Sequence, residues 1–199
     1  KAFLTDNCHS ATNACLQVFG GHGFIKEWGM EQYVRDNRIN MIYEGTNTIQ
    51  SLDLLGRKIL GNQGATLKKF GKLIATLVAE ETDNEDMAEF IQPLAKLGQQ
   101  MTQFTGEIGM KAMSNADEVG AAAVDYLRVT GHLVFAYFWA RMAKVALHNI
   151  AQGNRDPFYK AKVQTARFYF AKLLPETASL MQTARAGSAV LMDTQEVFA

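Results

Sequence analysis

The sequence predicts an all-α fold, a helical bundle, on three observations. Apolar residues recur at intervals of three and four over long stretches, and none alternates with polar residues for the length of a half-buried strand. Among 199 residues, 48% hydrophobic and 20% charged, there are only 3 prolines: Pro93, Pro157 and Pro175. Glycine-rich breaks separate the periodic stretches, as helix ends do.

In chain order, residues 2–18 predict a first helix stopped at Gly20-Gly21, with a loop to Gly29. A short helix near 30–39 leads into IYEGTNTIQ (42–50), and a helix over 47–61 follows, ended by Gly61. The turn GNQG (61–64) marks the expected domain boundary, with residues 1–62 before it and 63–199 after it. Beyond it come a helix over 65–82, an acidic turn ETDNED (81–86), a helix over 86–113 and the longest helix, 117–152. On this last, Val119, Ala122, Tyr126, Val129, Leu133, Ala136, Ala140, Ala143, Leu147 and Ile150 form one continuous apolar seam. Its alanines let a neighbouring helix come close. GNRDP (153–157) ends it, and Pro157 suits the first turn of the next helix. Residues 158–173 repeat the pattern with Phe158, Ala161, Ala166, Phe168, Tyr169 and Leu173. The terminal SAVLMDTQEVFA (188–199) reads as a tail lying on the bundle.

A chain of this length holds one sizeable core or two small domains. Its 20 basic and 20 acidic residues balance with no basic stripe, which excludes nucleic acid as a main partner. No apolar run approaches the roughly 20 residues of a membrane span. There is no secretory signal, and Lys1 stands where a start methionine would, so the chain reads as processed, trimmed or part of something longer. Cys8 and Cys15 lie seven apart, about 10 Å along a helix. A disulfide needs Cα atoms closer than about 7 Å, so both are expected to be reduced structural thiols, which fits a cytoplasmic protein.

QVFGGHGF (17–24) allows close backbone approach to a phosphate, but it follows a helix instead of a strand, so it is no dinucleotide fingerprint; a plain helix stop explains it equally well. In VRDNRI (34–39), Arg35 and Arg38 share a face with Asp36 between them and are expected to form a salt-bridge cluster. His9, His22, His132 and His148 show no ligand spacing, so no metal site is expected, and the acidic run 80–89 reads as a solvated turn and helix start. Glu44 has two readings. With Thr46 capping the next helix, its carboxylate favours the helix dipole; alternatively it is a general base made reactive by desolvation beside an aromatic wall. Spacing does not choose between them.

Taken together, residues 15–60, CLQVFGGHGFIKEWGMEQYVRDNRINMIYEGTNTIQSLDLLGRKIL, closely resemble the C-terminal signature of the acyl-CoA dehydrogenase family. The match runs through Gln-x-x-Gly-Gly-x-Gly at 17–23, Arg-Asp at 35–36 and Tyr-Glu-Gly-Thr-Asn-x-Ile-Gln at 43–50. The resemblance implies that Glu44 removes the α-proton of an acyl-CoA thioester while a hydride passes from the β-carbon to FAD, giving a trans-2-enoyl-CoA. It implies that Gln17, Gly20 and Gly21 reach the FAD of a neighbouring subunit, that Thr46 and Thr48 lie near FAD, and that Tyr43 and Gly45 contact substrate and help desolvate the base. Electron-transfer flavoprotein or another acceptor, and a homo-oligomer, follow as partners. Thr48 stands where many members have glutamate or glutamine, and Gly56 where many have arginine, with Arg57 one step later. The remainder is similar to the C-terminal extension of larger bacterial members, the methylthiopropanoyl-CoA dehydrogenase branch among them. The family's upstream domains are not in this sequence, so the chain alone is expected to be inactive. A competing expectation is a helical oligomerisation or interaction module at 63–199.

Overall fold

A computed structural model gives the architecture and describes residues 1–194. Among them there is no β-strand, and no helix is long and apolar enough to cross a membrane. Helices α1 (Ala2–Val18), α2 (Gly21–Phe24), α3 (Met30–Arg38) and α4 (Asn47–Leu52) come first. The expected helix over 47–61 is not uniform: after Leu52 it widens to π-helical turns over Asp53–Ile59 and tightens over Leu60–Asn62. Gln63 and Gly64, both with positive φ, then turn the chain. Next come α5 (Ala65–Glu80), α6 (Ala88–Ser114) and α7 (Asp117–Ala151), which at 35 residues is the longest helix, as expected. α8 (Pro157–Phe168), α9 (Glu176–Arg185) and α10 (Ala189–Met192) complete the order. Pro157 opens α8 behind an Asp156 cap whose carboxylate accepts from Phe158 N at 2.9 Å.

α7 is the axis of the molecule and touches α1, α4, α6, α8 and α9. From Ala122 to Ala143 the predicted seam is buried, and Val119, Leu147 and Ile150 pack at its edges. A second face is buried too, through Ala123, His132, Tyr137 and Ala146, because neighbours surround the helix. α8 differs from its prediction. Phe158, Ala161, Phe168 and Leu173 are exposed, and the buried set is Val163, Ala166, Tyr169, Phe170 and Leu174. Past Phe168 the helix widens into a π-helical stretch over Tyr169–Leu173, where Leu174 N donates to Tyr169 O at 2.9 Å. The extra residue in that turn rotates the face and buries two consecutive aromatics.

Two further expectations change. The acidic run is not wholly solvated: Glu81 is buried, held by Lys144 Nζ at 2.6 Å and Asn84 Nδ2 at 2.7 Å. A charge from α7 makes that burial tolerable. Cys8 and Cys15 are free, but both are exposed, because α1 buries only Ala2 and Phe3 at its first turn. Of the predicted tail, Ser188 is buried and bonds Glu118 through its N–H and its hydroxyl, while residues 195–199 lie outside the described residues.

Residues 1–62 dock on α7 through Phe3. Its ring meets His132 and Phe135 edge-on at 5.1 and 5.0 Å, and Arg128 lies over it. Beneath it runs a polar network. Arg128 donates twice to Glu176, at 2.8 and 3.0 Å; His132 Nε2 lies 2.8 Å from Glu176 Oε2 and His132 Nδ1 lies 3.0 Å from the Tyr169 hydroxyl. Burial lowers His132 below its ordinary 6.5, outweighing the opposing pull of Glu176, and because a carboxylate only accepts, Nε2 is the donor to Glu176. Glu176 is lowered from its ordinary 4.5, chiefly by the Arg128 hydrogen bonds. Both shifts act in one direction. Below about pH 6.5 the unfolded chain takes up a proton at His132 that the folded chain refuses, so stability falls on acidification, and Glu176 adds a further loss below about pH 4.5. Denaturant unfolding of the wild type and of His132→Gln, which keeps a donor towards Glu176, is expected to show a shallower decline for the variant between about pH 7 and 5.5.

Candidate functional site

The motif IYEGTNTIQ forms a tight connection between α3 and α4. After Ile42 and Tyr43 both close on the Ile39 carbonyl, the chain reverses hand: Glu44 has φ 53° and Gly45 has φ 80°. Thr46 then starts α4, its hydroxyl accepting from Ile49 N at 3.4 Å. Gln50 Nε2 donates to the Glu44 carbonyl at 2.9 Å, and Lys1 Nζ donates to the Gly45 carbonyl and to Asn47 Oδ1, both at 2.8 Å. Asn47 in turn donates to Asp6 Oδ1 at 2.6 Å, which locks α4 to α1. Ser51, buried one turn on, bonds the Asn47 carbonyl at 2.9 Å, and Leu55 is fully buried against the core.

The Glu44 side chain is exposed and, among the described residues, its carboxylate forms no hydrogen bond or ion pair. Thr46 does the capping without it. Left-handed backbone costs a non-glycine residue about 1–2 kcal/mol, and the fold draws nothing in return from this side chain. Tyr43 is exposed as well, its hydroxyl donating to Asn40 Oδ1 at 2.6 Å. In this chain Tyr43, Glu44 and Gly45 are all exposed, side by side on the same turn.

The glycine-rich stretch lies at the far end of α1. Lys1 bonds the Glu44 turn, while Gln17 sits sixteen residues on, about 24 Å along the helix axis. The structure thus brings Tyr43, Glu44, Gly45, Thr46 and Thr48 together and keeps Gln17, Gly20 and Gly21 apart from them. Gly20 needs its glycine for φ 60°, and Gly23 because a Cβ there would lie 2.4 Å from the Leu16 carbonyl oxygen. Gly21 has neither reason: a Cβ would meet nothing in this chain. Gln17 and Thr48 are likewise exposed, and their side chains make no hydrogen bond among the described residues.

Arg35 and Arg38 form no ion pair among the described residues, so the expected salt-bridge cluster is absent; Asp36 accepts instead from Gln32 at 2.6 Å. Gly56 faces α7, where a Cβ would lie 3.7 Å from Val119 Cγ1, so a long side chain there would meet the extension. Arg57 points outward to Asp53, which it and Lys58 hold down to about 2. Among the described residues no group of His, Cys, Asp and Glu side chains gathers as metal ligands would. Sequence reading missed Lys1, Asn47 and Gln50. Asn47 and Gln50 left a signal, as parts of the matched motif, and Lys1 left none.

Residues 1–60 match the family model described as the acyl-CoA dehydrogenase C-terminal domain, and residues 68–195 match the one described as acetyl-CoA dehydrogenase C-terminal like. A 3-methylmercaptopropionyl-CoA dehydrogenase of Ruegeria pomeroyi is 33% identical over 90% of this chain and 31% of its own length. A broad-specificity linear acyl-CoA dehydrogenase of Mycobacterium tuberculosis is 28% identical over 92% of the chain and 32% of its own. The mitochondrial isobutyryl-CoA dehydrogenase of Bos taurus is 42% identical over 60 residues, 30% of the chain and 14% of its own length. The chain spans about a third of the first two relatives. With both helical parts matched in order, the chain belongs to the acyl-CoA dehydrogenase family and carries its C-terminal helical region.

Proposed function

We propose that the longer protein containing this chain dehydrogenates an acyl-CoA thioester between its α- and β-carbons, with Glu44 as the base that takes the α-proton. The observation that carries this is Glu44 itself: an exposed carboxylate with no internal partner, held on left-handed backbone at the start of a buttressed helix. Strain of this kind persists where surrounding structure enforces it, and it clusters at reacting groups. Tyr43 walls the acyl side, Gly45 leaves room for the thioester, and desolvation of the carboxylate comes from the upstream domains and the substrate. What FAD supplies, when bound, is a hydride acceptor at the β-carbon. Thr46 and Thr48 lie on the flavin side of the same turn, and Gln17, Gly20 and Gly21 serve the FAD of a neighbouring subunit, which their distance from Glu44 supports. The product is a trans-2-enoyl-CoA, and electron-transfer flavoprotein or another acceptor reoxidises the flavin. Free exposed thiols suit the reducing cytoplasm. Glu44→Gln in the longer protein, followed by rapid-mixing measurement of flavin reduction, tests the assignment.

We assign residues 1–62 to the catalytic helical domain and 63–199 to an extension that supports it. This chain presents one wall of a flavin site. Purified alone, it is expected to be colourless and inactive; a stoichiometric flavin spectrum surviving gel filtration would contradict this.

A second role for the extension, as an oligomerisation module, is favoured by an apolar groove of about 990 Å³ between α5 and α6, lined by Ala75, Ala79, Ala95 and Gly98. Small residues there let a helix of a second copy approach closely. Ala79→Arg is expected to lower the oligomeric state measured by sedimentation; an unchanged assembly would count against this role.

A further inference from the structure

The Glu44 turn is held by a residue that the proposed chemistry leaves unused. Glu44 and Gly45 are both left-handed, and both of their carbonyls lie outside the helical hydrogen-bonding pattern. Gln50 closes one of them. Its main-chain N–H bonds Thr46 O at 3.0 Å as part of α4, so its side chain can reach back over the cap, where Nε2 meets the Glu44 carbonyl at 2.9 Å. The amide also lies across Gly45: a Cβ on that glycine would stand 2.9 Å from Gln50 Nε2 and 3.6 Å from Ile49 Cγ2. Glycine is thus needed at 45 for its φ, and a side chain there would push the Gln50 amide off its bond to the Glu44 carbonyl. Gln50 itself is half-buried and lies outside the hydrophobic core.

We propose that Gln50 is a positioning residue for the Glu44 carboxylate; this rests on reading Glu44 as the base. The bond ends on the carbonyl of Glu44 itself, so it fixes the ψ of the residue whose side chain must meet the α-proton. It is the one hydrogen bond to the Glu44 carbonyl among the described residues, so without it that carbonyl is free to turn as Glu44 relaxes to the right-handed or extended regions that an L residue prefers. Such a change redirects the Cα–Cβ bond and carries the carboxylate away from its place. A misplacement of about 1 Å can slow a reaction by about 10²-fold. The anchor is rigid at its other end, because α4 is fixed to α1 through Asn47 and runs on into the π-helical turns whose Leu55 is buried in the core.

The test uses the full-length flavoprotein with Gln50→Met, which keeps length but loses the donor, and Gln50→Glu, which keeps shape and repels the carbonyl. Anaerobic flavin reduction by acyl-CoA is expected to slow by about 10–100-fold in Gln50→Met and further in Gln50→Glu, with flavin content and acyl-CoA affinity held within about twofold. In a Glu44→Gln background, Gln50→Met is expected to add no further loss, because there is no base left to position. If Gln50→Met reduces flavin at the wild-type rate while Glu44→Gln is slow, Glu44 stands as the base and the positioning role is overturned. An equal loss in both backgrounds, or loss of flavin, makes the effect structural and also overturns it. If Glu44→Gln itself is normal, the base assignment falls and this inference falls with it.

Discussion

Glu44→Gln in the full-length protein is expected to retain FAD and bind acyl-CoA, while flavin reduction by substrate slows by about 10²–10⁴-fold, the usual loss when a general base is removed. The amide matches the carboxylate in size and shape but cannot take the proton. If Glu44 served only the helix dipole, the same change would alter stability by about 1 kcal/mol or less and leave turnover intact. Glu44→Gly separates the two further. With φ 53°, residue 44 sits where glycine is at ease, so the isolated chain should lose no stability and could gain up to about 1 kcal/mol, the relief of left-handed strain set against glycine's greater freedom when unfolded. Loss of catalysis without loss of stability is the signature of a residue retained for chemistry. Stopped-flow bleaching of the flavin, paired with thermal melts of the isolated chain, reads both. Near-normal bleaching by Glu44→Gln would place the base on another residue.

Phe3→Ala is expected to destabilise the chain by about 3–5 kcal/mol, the range for emptying a buried aromatic site. Phe3 is buried against α7, and its ring fills the space over Gly131, where a Cβ would lie 2.3 Å from ring carbons. That clash gives the paired prediction. Gly131→Ala in the wild type forces the ring out of its seat and should cost about 1–3 kcal/mol, as overpacking does. In the Phe3→Ala background the same substitution meets no ring, and alanine's better helix propensity should stabilise by about 1 kcal/mol. The sign of one substitution thus reverses with the residue opposite it. Denaturant unfolding of the four proteins measures this, and simple additivity would show that Phe3 does not dock at Gly131. Because Phe3 belongs to the segment carrying Glu44 and Gly131 to the extension, the cycle also measures how firmly the two parts are joined.

The sequence by itself determined the all-α class, the order of the longer helices as far as α8, the α7 seam, the start of α8 at Pro157 and the family resemblance through residues 15–60; it read a loop where α2 lies and did not give α9. The features it determined are properties of local spacing: a period of three and four, a proline at a helix start and a contiguous motif survive without knowledge of neighbours. Tertiary structure decided what spacing does not encode. Past α8 the chain widens into the π-helical turn at Tyr169–Leu173, where Tyr169 lies beside His132 and Phe170 against Phe90. Glu81 is buried because Lys144, far along the chain on α7, arrives to pair with it. The Glu44 motif was legible, but the left-handed backbone at Glu44 and the bonds from Gln50 and Lys1 that hold it were not. Sequence spacing records which residues can share a helix face; it does not record where a side chain reaches across a turn, or which distant helix arrives to meet it.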